Sequence, residues 1–212
     1  MIFILKAQAD FKYTQKDSFM KLIDFSSETR TICINNKYVT LNRIHTVNAD
    51  NFSIHTYSYS DELISAKSVV VSDNKNITVV TDNATSKEKI KITSRFSLEN
   101  NSPIDERIFY DYRLVLRKND LGLKILPVIF DDVTFPTLSV VHENNENIYE
   151  FTSKQEGTAV SNIFATMCDQ ESNIKQWHMN ILSENCFNII FSDNTGIIVT
   201  LNADDFITIK SI

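Results

Sequence analysis

Glycine is scarce in this chain, whose 212 residues contain 3 glycines against 21 asparagines. A loop that cradles phosphate needs closely spaced glycines, so a Walker-type loop and a dinucleotide fingerprint are both excluded. Turns that require positive φ must instead use Asn or Asp, which tolerate left-handed backbone best after glycine. We therefore expect hairpin turns at the Asn-bearing segments.

Cysteine is also scarce, and the three present are Cys33, Cys168 and Cys186. An odd, widely spaced set without C-x-x-C argues against a disulfide framework and favours a reducing intracellular compartment. Each cysteine has apolar or strand-like neighbours, which predicts small buried hydrophobic residues.

Long hydrophobic runs are absent, since none approaches the roughly 18 residues that a membrane-spanning helix needs. The opening "MIFILKAQADFKY" has no basic region before its apolar residues, so it predicts a first strand and not a signal peptide. We expect a cytoplasmic protein (in the host cell if it is viral) without a membrane partner.

Positive charge is in deficit, because the formal net charge is −6 and the pI is near 5.2. A protein that coats nucleic acid with its outer surface would normally be basic. Any DNA-binding surface must therefore be local, and the remaining negative charge would repel other polyanions.

Catalytic motifs are absent: the sequence has no G-x-S-x-G, no H-E-x-x-H and no P-loop. The acidic pairs 131–132 and 204–205 would point to opposite faces of a strand, so they are expected in turns. The histidines lie on predicted strands without the spacing of a zinc site; they are His45, His55, His142 and His178. We expect no catalytic residue, no metal and no cofactor, and therefore no enzyme.

Strand patterns dominate the sequence, and four short helices are predicted at 14–25, 60–67, 119–126 and 182–186. Each helix precedes a predicted hairpin with an Asn-bearing turn. The hairpins are "TRTICIN–NK–YVTLNRI", "SVVVS–DNK–NITVVTD", "TLSVVHE–NNE–NIYEFT" and "FNIIFS–DNT–GIIVTL". A further strand follows each hairpin, so the sequence predicts four repeated helix-plus-strand units.

The segment "SLENNSPIDE" at 97–106 is polar, contains proline and lacks periodicity, which is typical of a linker. It divides the chain into a domain at 1–96, a connector at 97–106 and a domain at 107–212. The predicted fold class is α+β, with two similar domains that each contain two helix-plus-antiparallel-strand units.

This layout resembles the DNA sliding clamps, the ring-shaped processivity factors of replicative polymerases, and most closely those of tailed bacteriophages. The resemblance is strongest in "NFSIHTYSYSDELISAKSVVVSDNKNITVVTD" and "RLVLRKNDLGLKILPVIFDDVTFPTLSVVHENNENIYEF". It implies a homotrimeric ring with helices lining the channel and sheets outside. Such a ring encircles duplex DNA without reading its sequence, tethers a DNA polymerase and is opened by a clamp-loader ATPase.

The resemblance also implies two sets of functional residues. The bases expected to face DNA are Lys12, Lys16, Lys21, Lys67, Arg117, Lys118 and Lys124. The residues expected to form a pocket for partner peptides are Ile44, His45, Leu98, Ile104, Ile209 and Ile212.

Two other interpretations stay open from the sequence. The first is a β-rich structural or adaptor protein of a virus particle, which would share the Asn-rich, Gly-poor composition. The second is a small enzyme with an unrecognised site, which would need a concave pocket with a perturbed His or carboxylate.

Overall fold

A computed structural model describes residues 27–49, 52–73, 77–99, 106–110, 113–118, 121–130, 135–143, 146–154, 156–170, 176–191, 193–202 and 207–212. Within these ranges the protein is almost entirely β, and only Gln176 has helical backbone. No described helix has the length and apolarity to span a membrane.

The described residues form 16 strands that pair only in antiparallel fashion. They are β1 Thr29–Ile34, β2 Lys37–Ala49, β3 Phe52–Ser60, β4 Ile64–Asp73, β5 Ile77–Ile90, β6 Ile92–Glu99, β7 Glu106–Tyr110, β8 Arg113–Lys118, β9 Leu121–Pro127, β10 Thr137–Glu143, β11 Glu146–Thr152, β12 Gly157–Gln170, β13 His178–Ser183, β14 Cys186–Ile190, β15 Gly196–Leu201 and β16 Ile207–Ser211. One sheet has 12 strands in the order β10-β11-β6-β1-β2-β3-β4-β5-β12-β9-β8-β7. The other has four, β13 to β16 in sequence order.

The 12-stranded sheet folds over on itself. Strands β5 and β6 are joined by Lys91 alone, yet β1 to β4 separate them in the sheet. The Phe164 ring of β12 lies 5.2 Å from Phe96 of β6 and 4.9 Å from Phe151 of β11. The layer that contains β6 and β11 therefore packs face to face on the layer that contains β5 and β12.

Two hydrophobic cores result from this arrangement. The larger core fills the folded sheet and includes Ile32, Leu41, Val80, Phe96, Leu123, Tyr149 and Phe164. The smaller core lies between the four-stranded sheet and the outer side of β5, β9 and β12, and includes Val79, Ala165, Met167, Phe187 and Val199. Strands β5 and β12 are thus buried on both faces over residues 77–82 and 164–168, as expected for strands that are covered on both sides.

A buried ion pair crosses the larger core between the two layers. Arg30 of β1 donates from Nε to Asp82 Oδ1 at 2.9 Å and from Nη2 to Oδ2 at 2.7 Å. The Asp82 side chain on β5 is 0% exposed and that of Arg30 is 10% exposed. Burial by itself would raise the pKa of Asp82, but the charge and hydrogen bonds of Arg30 lower that pKa below its ordinary value.

The turns confirm the prediction drawn from the scarcity of glycine. Among the described residues, the non-glycine positions with positive φ are Asn35, Asn36 and Asn194, at 48°, 63° and 65°. Asn35 and Asn36 form the two-residue turn between β1 and β2, where both central positions need positive φ. Asn35 Oδ1 also accepts from the Lys91 backbone N–H at 2.8 Å, which fixes this turn against the β5–β6 corner.

The four predicted hairpins are confirmed, as are the strands expected after them. They correspond to β1–β2, β4–β5, β10–β11 and β14–β15, each paired in antiparallel register. Alternation with a period of two residues and the Asn-bearing turns carried this part of the prediction.

The helix predicted at 60–67 is wrong, because a tight turn and the start of β4 occupy this segment. The Asp61 carboxylate Oδ1 accepts the backbone N–H groups of Leu63 and Ile64 at 2.8 and 2.7 Å. The same local bonding pattern serves a helix N-cap or an Asx turn, and here Ile64 continues into a strand.

The helices predicted at 119–126 and 182–186 are also wrong. Strand β9 runs through the first of these segments, and Leu121, Leu123 and Ile125 alternate into the larger core. The second segment comprises the end of β13, a two-residue turn and the first residue of β14. The helix predicted at 14–25 and the first strand predicted near residue 1 lie outside the described residues.

The α+β clamp fold is therefore wrong, since strands occupy described positions that the clamp layout assigns to channel-lining helices. An all-β architecture agrees better with the alternative interpretation, a β-rich structural or adaptor protein. The division at 97–106 stays a prediction, and the sheet hydrogen bonds run across it, with β6 pairing to β11 and β5 to β12.

Breaking the Arg30–Asp82 pair on one side should destabilise the protein strongly. In Arg30→Met the buried carboxylate loses its counter-charge, and we expect a loss of about 3–5 kcal/mol in urea unfolding. The double variant Arg30→Met/Asp82→Leu should regain most of that loss, because neither charge is then buried. A single variant as stable as the wild type would show that the pair does not join the layers.

The same pair should make the wild-type protein acid-sensitive. A folded-state pKa below the unfolded value gives stability that is complete above the ordinary value of 3.8 and is lost as the pH falls through the folded pKa. Urea titrations between pH 6 and pH 2 should therefore show a smaller acid loss in the double variant than in the wild type.

Gly196 is expected to contribute to the stability of the four-stranded sheet, because its backbone lies close to β14. A Cβ at this position would collide with the backbone carbonyl oxygen of Ile189 and lie 3.2 Å from Ile190 Cα. Gly196→Ala should therefore cost about 1–3 kcal/mol of stability, as overpacking does. Gly157→Ala is the control, because its nearest contact would be 3.1 Å, and it should lose less in the same thermal unfolding measurement.

Candidate functional site

A groove of about 290 Å³ opens beside the passage from β11 to β12. Its apolar wall includes Pro127, Phe130 and Pro136. Its polar wall comprises Ser153, Lys154, Glu156, Ser161 and Asn162. A concave surface with an apolar wall and a few convergent polar groups is the usual form of a small-ligand site.

Asn162 fixes the inner end of this groove. The Asn162 side chain is buried, and its Nδ2 donates to the Ile92 carbonyl at 3.3 Å, the Ser94 hydroxyl at 3.2 Å and the Phe151 carbonyl at 3.3 Å. These three acceptors lie on β6 and β11, which belong to the opposite layer of the folded sheet. Asn162 therefore holds the two layers at a fixed separation where the groove begins.

The passage from β11 to β12 is itself tied to the β5–β6 corner. The Ser153 N–H donates to the Ile92 carbonyl at 2.9 Å, and the Ile92 N–H donates to the Ser153 hydroxyl at 3.2 Å. On the other wall, the Val128 N–H donates to the Ile163 carbonyl at 2.8 Å. Both walls of the groove thus rest on paired backbone.

The rim of the groove carries more positive than negative charge. Lys91 Nζ forms an ion pair with Glu156 Oε1 at 2.9 Å. The hydrogen bond and charge of Lys91, and the charge of Lys89, lower the pKa of Glu156. Lys154 lines the groove itself, so three lysines and one carboxylate lie in the groove or beside it. This local excess stands out in a chain with a net charge of −6.

The bases expected to face DNA lie on strands where they are described. Lys67 is on β4, Arg117 on β8 and Lys124 on β9, all half-buried. Arg117 and Lys124 lie on one face of adjacent strands, the face opposite the larger core. Lys118 lies in β8, its side chain not described, and Lys12, Lys16 and Lys21 lie outside the described residues. Their role in contacting DNA stays a prediction.

The residues expected to form a peptide pocket are divided between the two sheets. Ile44 and His45 are exposed on β2, whereas Ile209 of β16 packs against the smaller core and Ile212 follows it exposed. Leu98 lies in β6 of the 12-stranded sheet, its side chain not described, and Ile104 is outside the described residues. This pocket also stays a prediction.

The histidines and cysteines do not cluster in the part of the chain that the structure describes. His45 and His55 lie on β2 and β3, His142 on β10 and His178 on β13. Over the described part of the chain, no group of three or more His, Cys, Asp or Glu residues is placed to hold a metal ion. Cys33 and Cys168 are buried as predicted, and Cys186 is half-buried.

The groove residues were missed by the sequence reasoning. "SKQEG" at 153–157 is a polar, glycine-ending segment between two strand patterns, and loops on rigid scaffolds often carry binding residues. This polar segment could therefore have been identified from the sequence. The contact between Lys91 and Glu156 could not, because it depends on how the sheet folds over.

Comparison with known proteins identifies a shared fold. No protein-family profile and no curated protein matches the chain. Among solved structures, a heparan sulfate lyase from Pedobacter heparinus matches with a TM-score of 0.59 and 14% identity, over 94% of this chain and 33% of that chain. A heparinase III matches with a TM-score of 0.58 and 11% identity, over 86% of this chain and 29% of that chain.

The chain spans about a third of the length of these structures, and identities this low show the fold alone. The interpretation as a sliding clamp is wrong, and duplex DNA, a polymerase, a clamp loader and a trimeric ring have no support as partners or assembly. This chain has the β fold that also occurs in part of the heparinases.

Proposed function

We propose that this chain is a non-catalytic β module that binds an anionic polysaccharide at the groove beside the β11–β12 passage. The basic rim carries this proposal, because three lysines against one carboxylate, in the groove or beside it, attract a polyanion locally while the rest of the acidic surface repels it. The fold likeness to a heparan sulfate lyase and a heparinase supports a glycan as the class of ligand.

The size of the groove limits how much of a polysaccharide enters it. A volume of about 290 Å³ is near the lower end for small-ligand pockets, which span roughly 300–1,000 Å³. One sugar unit would therefore occupy the groove, against Pro127, Phe130 and Pro136. The neighbouring units would cross the rim, where Lys89, Lys91 and Lys154 meet carboxylate or sulfate groups.

The titratable groups of the groove support binding more than catalysis. Glu156 is exposed and ion-paired, and its lowered pKa keeps it a carboxylate that is a weak base at neutral pH. Asn162 already donates three hydrogen bonds within the protein. Neither residue is arranged to remove a proton from a bound sugar.

Filling the groove should abolish polysaccharide binding without disturbing the fold. Ala159 lines the groove and is exposed, so Ala159→Trp would occupy the space with an indole ring. Thr158→Trp is the matched control, because the adjacent strand position is exposed but does not line the groove. In native gels that contain heparan sulfate or polygalacturonate, the wild type and Thr158→Trp should be retarded and Ala159→Trp should not.

Charge reversal gives a second readout of the same proposal. Lys154→Glu should weaken retardation by about tenfold or more at low salt, whereas Lys210→Glu on the exposed side of β16 should have little effect. Added salt should weaken wild-type binding. Absence of wild-type retardation in both anionic gels, or equal loss in the two charge variants, would refute the proposal.

A further inference from the structure

A second surface, on the outer face of the layer that contains β1 and β6, holds an exposed aromatic ring in a fixed position. Tyr38 is 59% exposed, the highest exposed fraction of any aromatic side chain among the described residues. The Arg95 guanidinium lies 4.3 Å from its ring centroid, and the Tyr38 hydroxyl donates to Glu143 Oε1 at 3.1 Å. One face of the ring is thus covered by Arg95 while the side chain stays open to solvent.

The groups that hold Tyr38 are themselves fixed. Arg95 donates from Nη2 to Glu143 Oε2 at 2.9 Å and from Nε to Glu150 Oε1 at 3.0 Å. The Arg95 side chain is 10% exposed, so this network lies against the sheet. A ring held in this way loses little conformational entropy when a ligand packs on it.

The protonation states around Tyr38 are well defined. The hydrogen bond to Glu143 raises the pKa of Tyr38, so its hydroxyl stays protonated at neutral pH. Arg95 lowers the pKa of Glu143, which therefore stays a carboxylate. Both oxygens of that carboxylate accept hydrogen bonds and have further lone pairs for a ligand hydroxyl.

Hydroxyl groups extend this surface along the same face of the sheet. Ile32 and Ile34 point into the larger core, so Thr31 between them points outward, and Thr40 pairs with it on β2. On the same face, the Thr93 hydroxyl of β6 is buried and hydrogen-bonded at 2.9 Å to the half-buried Thr152 hydroxyl of β11. The surroundings of Tyr38 are polar and hydroxyl-rich.

We propose that this Tyr38 surface, formed by Tyr38, Arg95, Glu143 and Glu150, is a second glycan contact that stacks an uncharged sugar unit. The C–H groups of a pyranose pack on the open side of the ring, and its hydroxyls donate to the Glu143 and Glu150 carboxylates. One arginine against two carboxylates leaves a net charge of −1, which disfavours a sulfated or uronate unit here. The inference relies on the proposed function for the class of ligand.

Removing the ring should weaken binding of a neutral glucan. With hydroxyethyl cellulose as the probe in native gels, we expect Tyr38→Ala to bind about fivefold more weakly than the wild type, the loss of one aromatic stacking contact. Tyr38→Phe should bind within about twofold of the wild type, because it keeps the ring. Leu182→Ala removes another exposed apolar side chain, 50% exposed on β13, and should bind as the wild type.

Several outcomes would overturn this inference. They are absence of wild-type retardation by hydroxyethyl cellulose, equal weakening in Tyr38→Ala and Leu182→Ala, and suppression of glucan binding by an oligolysine peptide, which would identify a cationic partner. Thermal unfolding of each variant separates lost binding from lost folding.

The groove variant separates this inference from the proposed function. Ala159→Trp should still bind hydroxyethyl cellulose, and Tyr38→Ala should still bind the anionic polysaccharides. If only the neutral glucan is bound, the groove proposal fails and the Tyr38 surface stands. If only the anionic polysaccharides are bound, the inference about the Tyr38 surface fails and the groove proposal stands.

Discussion

The folding of one 12-stranded sheet onto itself depends on polar groups buried between its layers. Arg30 of β1 reaches Asp82 of β5 through two hydrogen bonds, and Asn162 of β12 donates to three acceptors in the opposite layer. Apolar packing alone would tolerate sliding of one layer over the other, whereas these hydrogen bonds form only at one relative position of the layers. A buried charge without its partner is costly, so the pair selects a single arrangement of the layers.

Both candidate binding surfaces follow from this arrangement. The groove exists because the β11–β12 passage crosses from one layer to the other beside the β5–β6 corner, which brings Lys91 to Glu156. The Tyr38 surface exists because β6 lies between β1 and β11, so that Arg95 reaches both Tyr38 of the β1–β2 hairpin and Glu150 of β11. Neither surface is contained in one hairpin.

The hairpins were predictable from the sequence, whereas the absence of helices from the described segments between them and the assembly of the sheet were not. Alternating apolar residues and Asn-bearing turns determine the hairpins, because both signals act within about ten residues. The helix predicted at 60–67 was wrong because the Asp61 carboxylate closes an Asx turn there, and acceptance from the next backbone N–H groups begins a helix or an Asx turn equally well. The order of strands in the sheet, and so the meeting of Lys91 with Glu156, depends on contacts more than 60 residues apart in the chain.

The distribution of charge relates the two surfaces to each other. A uniformly acidic exterior would exclude a polyanionic chain, but the lysines at the groove reverse the sign locally, while the Tyr38 surface keeps a small negative excess. Electrostatic attraction between exposed charges decays over about 10 Å at 0.1 M salt, so each surface responds to its own residues and not to the net charge of −6. A polysaccharide that carries both kinds of unit would therefore bind the groove through its acidic units and Tyr38 through its uncharged units. Each contact would be weak, and the two together would bind more strongly.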